Sequence, residues 1–113
     1  MASRTAGRPT RGTKLNGGVE GFKAENENSS SPLFGKLAGR YGTAGFSMGG
    51  GGTTYAATTD PTLNSSMAVM PWGPTGRGME VPTLIICGAS DGIASCGSHG
   101  TPLYGAIPED TPK

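Results

Sequence analysis

The 113-residue sequence is short of the residue types that most binding and catalytic sites use. It has one histidine, two cysteines and one tryptophan, with 6% aromatic and 15% charged residues. A formal net charge of +1 gives no general electrostatic pull towards nucleic acid or a membrane surface. Two cysteines build neither a zinc site nor a multi-bridge disulfide framework. Cys87 and Cys96 would pair with each other in an oxidising compartment or remain free. Residues 1–18 hold no apolar run, so the reading includes no signal peptide and no membrane span. Hydrophobic residues make up only 34% of the chain. An independently packed core of usual density is therefore not expected.

Glycine is the residue in excess, at 21 positions. Residues 1–20 mix Gly, Arg, Thr and Pro without periodicity and read as a disordered arm. Arg4, Arg8, Arg11 and Lys14 make this arm basic, with no acid before Glu20. It would be a solvated tail, or would touch phosphates or anionic lipid. Residues 21–113 read as one α/β unit. Phe22 to Glu27 would end a helix, and residues 28–32 form a loop. Tyr41 to Phe46 would be a strand weakened by Gly42 and Gly45. Thr53 to Thr59 would be a helix that stops before Asp60-Pro61. Met67 to Met70 is a short apolar run. Val81 to Cys87 is the strongest strand, apolar enough to be covered on both faces, with Pro82 tolerated at its start. Thr101 to Ile107 would be a short helix.

Gly45-Phe46-Ser47-Met48-Gly49 stands between the weak strand and the first of these helices. It has the G-x-S-x-G form of the nucleophile elbow, where glycines flank the serine because a Cβ would clash. In so glycine-rich a chain about 0.3 such matches arise by composition alone, so the surroundings must carry the argument. Gly49 to Gly52 are poor helix formers at a helix start, and point to close backbone approach by a neighbouring strand or by an anion. Ser47 and Asp91 both fall just beyond strand ends, where α/β folds place reactive groups, and they come in the order Ser then Asp.

Taken in order, Asn28-Ser-Ser-Ser-Pro-Leu-Phe-Gly-Lys36, the elbow with Gly50 to Gly52, Pro71-Trp72, Val81 to Ile86 and Asp91-Gly-Ile-Ala94 resemble the bacterial cutinase, lipase and polyester hydrolase group of α/β-hydrolases. The resemblance covers residues 25–113 and does not include the basic arm. It implies a three-layer αβα fold with a mostly parallel sheet, incomplete at both ends. It implies cleavage of carboxylic esters, from lipids or polyesters, through an acyl-enzyme, with no cofactor and no metal. Ser47 matches the nucleophile, and the Met48 N–H an oxyanion donor. Asp91 matches the acid that orients the histidine; Phe46 and Trp72 match substrate-binding positions. Phe46 replaces the usual His, Trp or Tyr, and Ser95 replaces a proline. The early strands, the second oxyanion donor and the segment bearing the catalytic histidine lie outside the match. His99, the single histidine, falls in a loop where the group has no base, and reads as an exposed loop histidine. The isolated chain is therefore expected to have little or no activity. The group is typically secreted.

Two other readings compete. A complete short product acting as a non-catalytic binding or structural module would use the basic arm and would unfold in one cooperative transition. A phosphate-binding loop at Gly49 to Gly52 lacks the lysine that a P-loop requires.

Overall fold

A computed structural model describes residues 7–73 and 75–113. The chain order is α1 (Arg8–Glu27), β1 (Gly42–Phe46), α2 (Met48–Thr59), β2 (Ser65–Val69), β3 (Thr83–Ile86), one π-helical turn (Cys96–Gly100) and α3 (Thr101–Ala106). The strands form a parallel sheet in the order β1-β2-β3. This is the α/β architecture that the sequence implies, in its partial form.

Strand alternation sorts the side chains. Thr43, Ser66 and Thr83 are in register on the inner face, and Gly45, Ala68 and Ile85 form the next row. The inner face meets α2. Thr53 Oγ1 of α2 donates to Thr43 Oγ1 and lies 3.5 Å from Ser66 Oγ, so the buried hydroxyls satisfy one another. This explains how strands so poor in branched apolar residues hold together. The apolar core is Val19 of α1, Ala56 and Ala57 of α2, Leu63, Ala68, Met79, Val81, and Leu103 with Ile107 at α3. All three helices thus feed one cluster.

The opposite face is open. Leu84 is 56% and Ile86 44% exposed, and Met67 is exposed beside them. The expectation that β3 is covered on both faces is corrected: among the described residues, helices pack on one side only.

The larger correction concerns the arm. Residues 8–27 form a twenty-residue helix, not a disordered tail. Pro9 sits in its first turn, where its missing N–H is harmless. Leu15, Val19 and Phe22 make an apolar stripe at helical spacing. The helix exists because of what it packs against. A Cβ on Gly12 would come 2.8 Å from the Gly52 carbonyl and 2.6 Å from the Tyr55 ring. A Cβ on Gly52 would come 2.7 Å from Arg11 Cβ. The two glycines bring α1 and α2 together, and tertiary packing overrides poor intrinsic propensity. Asn16 Nδ2 spans the same interface, donating to the Ala56 carbonyl and Thr59 Oγ1. Arg8 donates to Thr75 Oγ1 across the molecule. Arg4 lies outside the described residues.

Helix ends are tied down by side chains. The Asn26 carboxamide accepts from the Leu37 N–H, folding residues 28–37 back onto α1. Beyond α2, the Thr62 hydroxyl and backbone N–H hold the Asp60 carboxyl below the usual carboxylate range. Lys113 Nζ donates to the Tyr104 and Ile107 carbonyls, satisfying acceptors at the C-terminal end of α3. No described helix is long and apolar enough to cross a membrane.

Candidate active site

Because the three strands are parallel, the loops that follow them leave the same edge of the sheet. Ser47 follows β1, Trp72 comes three residues after β2, and Asp91 five residues after β3. Main-chain hydrogen bonds stitch these exits together. The Ser47 N–H donates to the Val69 carbonyl at 2.9 Å, and the Trp72 N–H donates to the Ser47 carbonyl at 2.9 Å. The Met70 N–H donates to the Ile86 carbonyl.

Ser47 sits at φ 56° and ψ −118°, between the last residue of β1 and the first of α2. A non-glycine residue there is strained by about 1–3 kcal/mol and persists only because its surroundings over-determine it. The turn is made tight by glycines, though not by both flanking ones. A Cβ on Gly45 would run into the Gly49 carbonyl, whereas a Cβ on Gly49 would meet nothing within 4 Å. The tight contacts lie further along α2. A Cβ on Gly50 would come 2.8 Å from Pro71 Cα, and one on Gly51 would strike the Trp72 carbonyl and lie 2.7 Å from Arg8 Cδ. Of a neighbouring backbone and an anion, the neighbouring backbone is what this glycine run admits.

Met48 opens α2, so its N–H belongs to the first-turn donors that have no acceptor within the helix. These donors and the helix dipole favour negative charge beside Ser47. Phe46 is 66% exposed at the end of β1. Trp72 is 39% exposed and is not a core residue.

Asp91 is half-buried. Its Oδ1 accepts the backbone N–H groups of Ile93 and Ala94, both at 2.9 Å, which fixes the carboxylate on its own turn. Its other oxygen makes no hydrogen bond among the described residues. Ser95, at the position where the resemblance places a proline, caps the π-helical turn by accepting the Ser98 N–H on its hydroxyl.

The structure decides one alternative that the sequence left open, and it shows one contact that the sequence did not reveal. Cys87 and Cys96 are joined as a disulfide. His99 is not an exposed loop histidine: its ring stacks on Trp72, with centroids 4.3 Å apart and planes at 28°, and Nδ1 accepts the Gly73 N–H at 2.9 Å. Trp72 and Gly73 belong to the exit of another strand, far away in sequence, so no local pattern announces the pair. With Nδ1 occupied as an acceptor and the ring held against the indole, His99 is committed to holding Trp72.

A groove of about 530 Å³ lies elsewhere. It lies between α1 and the free edge of β1, lined by Leu15, Val19, Phe22 and Tyr41 among others. Among the described residues, no cluster of His, Cys, Asp and Glu could hold a metal ion.

Comparison with known proteins gives relatives for this arrangement. Over 78 residues the chain is 40% identical to bis(hydroxyethyl) terephthalate hydrolase of Streptomyces coelicolor, covering 67% of this chain and 25% of that protein. It is 42% identical over 78 residues to cutinase est1 of Thermobifida alba, covering 67% and 26%. It is 37% identical over 76 residues to a cutinase of Thermobifida fusca, covering 66% and 25%. The chain thus spans about a quarter of the length of these curated relatives. The family match is longer than these, and it takes in the helix that lies outside the resemblance read from the motifs. The model of the PET hydrolase-like family matches residues 2–113, and the chain belongs to that family.

Proposed function

We propose that this chain carries the nucleophile and acid portion of a serine hydrolase acting on carboxylic esters. The observation that carries the reading is the strained Ser47, held at positive φ between β1 and the N-terminus of α2. A serine is kept in such a conformation where its hydroxyl must stand clear of the sheet. Ser47 Oγ attacks the ester carbonyl carbon, and a histidine base takes its proton. Charge develops on the carbonyl oxygen, where the Met48 N–H donates to it. The tetrahedral intermediate collapses with cleavage of the ester C–O bond, the histidinium returns its proton to the leaving oxygen, the neutral alcohol departs, and an acyl group remains on Ser47. Water, deprotonated by the same base, then releases the acid. Asp91 orients that histidine through its free carboxylate oxygen. Trp72 and Phe46 offer aromatic surface to the acyl or alcohol part of the ester.

The base is not His99, whose Nδ1 is taken by Gly73. It comes from polypeptide outside these 113 residues. Bis(hydroxyethyl) terephthalate hydrolase and the cutinases are the relatives that make hydroxyethyl esters of terephthalic acid and cutin esters the substrates to try first. A secreted location fits the disulfide, which persists in oxidising compartments.

The test is labelling by a fluorophosphonate probe, which reports an activated serine. The isolated chain should label no more than Ser47→Ala, because a serine hydroxyl without a base is a weak nucleophile. Residues 42–113 grafted into the matching stretch of cutinase est1 should restore labelling. That labelling should vanish in Ser47→Ala and fall steeply in Asp91→Ala. A folded chimera that stays unlabelled would sink the reading.

A further inference from the structure

The loop after β3 bears Asp91, and very little of it is anchored by packing. Ile93 is 80% exposed, and Ala89, Ser90 and Gly92 are exposed as well; only Ala94 is buried. The two hydrogen bonds to Asp91 Oδ1 are local, from two and three residues on, so they shape the turn without locating it on the sheet. What locates it is covalent. Cys87 directly follows β3 and Cys96 begins the π-helical turn, with their Cα atoms 5.3 Å apart. The disulfide closes residues 87–96 into a ring that contains Asp91.

The same bond seats what comes next. A Cβ on Gly100 would come 2.7 Å from Cys87 Sγ and 3.4 Å from Cys96 Sγ, so the π-helical turn rests directly on the disulfide. His99, one residue earlier, is the residue that stacks on Trp72 and accepts from Gly73. A continuous physical path therefore runs from the end of β3, through the disulfide and the π-helical turn, to the loop after β2.

We propose that Cys87 and Cys96 are positioning residues: their disulfide holds the Asp91 loop and the Trp72 indole in fixed relation, acting on Trp72 through His99. The inference rests on Asp91 and Trp72 being site residues, as proposed above, for its functional meaning. Its physical content does not. Reduction should unlatch the acid loop and release the indole together, while leaving the packing of α1 on α2 in place.

Trp72 is the sole tryptophan, so its fluorescence reports the stack with no substrate and no reactive serine. The purified chain is treated with a water-soluble trialkylphosphine. The phosphine gives an electron pair to the disulfide, two thiols form, and the phosphine leaves as its oxide with an oxygen from water. Complete reduction is verified by mass after alkylation of both thiols. Emission and iodide quenching of Trp72 should move to the values of oxidised His99→Ala, in which the stack is already lost. Reduction of His99→Ala should then add nothing. The Cys87→Ser/Cys96→Ser double variant should match the reduced chain. Amide hydrogen exchange should quicken across residues 88–100 and stay unchanged in α1 and α2. A fully reduced chain with unchanged emission overturns the proposal. So does exchange that quickens throughout α1 and α2, which would make the disulfide a general staple. Fluorophosphonate labelling judges the hydrolase reading separately. If emission responds but the chimera stays unlabelled, the latch stands and the ester chemistry falls.

Discussion

The face of the sheet under α2 is built from missing side chains, while the opposite face is built from large ones left in water. On the covered side Gly50, Gly51 and Gly52 let α2 lie against the loop after β2 and against α1. On the open side Leu84, Ile86 and Met67 stand exposed. The difference shows where this chain keeps its precision. The covered side fixes backbone against backbone and so fixes the turn at Ser47. The open side contributes apolar surface but no geometry. Mutations on the two sides should therefore have very different costs, and the contrast can be tested from its strongest point downwards.

The largest effect belongs to the closest backbone contacts. Gly45→Ala would drive a methyl group into the Gly49 carbonyl, and Gly51→Ala would drive one into the Trp72 carbonyl. Backbone cannot swing aside as a side chain can. Each substitution should cost about 3 kcal/mol or more, read as a lowered urea midpoint for the whole chain. A loss below about 1 kcal/mol would show that the tight side gives way easily, and the contrast would collapse.

Next comes the residue those contacts hold. Ser47→Gly should stabilise the chain by about 1–3 kcal/mol, because glycine adopts positive φ freely. The same change removes the proposed nucleophile. A gain in midpoint would therefore mark a position where stability has been given up for chemistry. No gain would mean that Ser47 is not strained, which would remove the main support for the elbow.

The motif itself predicts symmetry that the structure denies. Gly45 and Gly49 flank Ser47 equally in sequence, yet only Gly45 lacks room for a Cβ. Gly49→Ala should stabilise α2 by about 0.5–1 kcal/mol through helix propensity, in direct opposition to Gly45→Ala. Equal destabilisation by both would mean that the two flanks are tight in the same way.

These positions also show how far the sequence could be read. The β1–α2 unit and β3 were legible because the elbow, the Asp60-Pro61 stop and the apolar run of Val81 to Cys87 are local signals. The helix at residues 8–27 was not, because Gly12, Gly17, Gly18 and Gly21 read as breakers. Gly12 is in fact the contact that allows the helix to pack against α2. The spacing of Leu15, Val19 and Phe22 was the available clue, and it was obscured by the polar residues between them. At the site, Ser47, Met48, Asp91, Phe46 and Trp72 all reach one edge of the sheet by parallel pairing, so their shared location follows from strand order. The link from His99 to Trp72 joins two loops that follow different strands, and only the folded backbone brings them together.

The smallest effect should fall on the open face, and it completes the contrast. Leu84→Thr and Ile86→Thr remove exposed apolar surface from β3 while keeping a strand-compatible residue at Ile86 and adding one at Leu84. Neither side chain lies in the buried cluster, so each change should move stability by no more than about 0.5 kcal/mol. Trp72 emission should not change, since neither residue takes part in the main-chain bonds that carry Ser47 and Trp72, apart from the Ile86 carbonyl, which threonine keeps. A loss as large as that of Gly51→Ala would mean that this face is covered in solution. The sheet would then be buried on both sides, as the apolar sequence of β3 first implied.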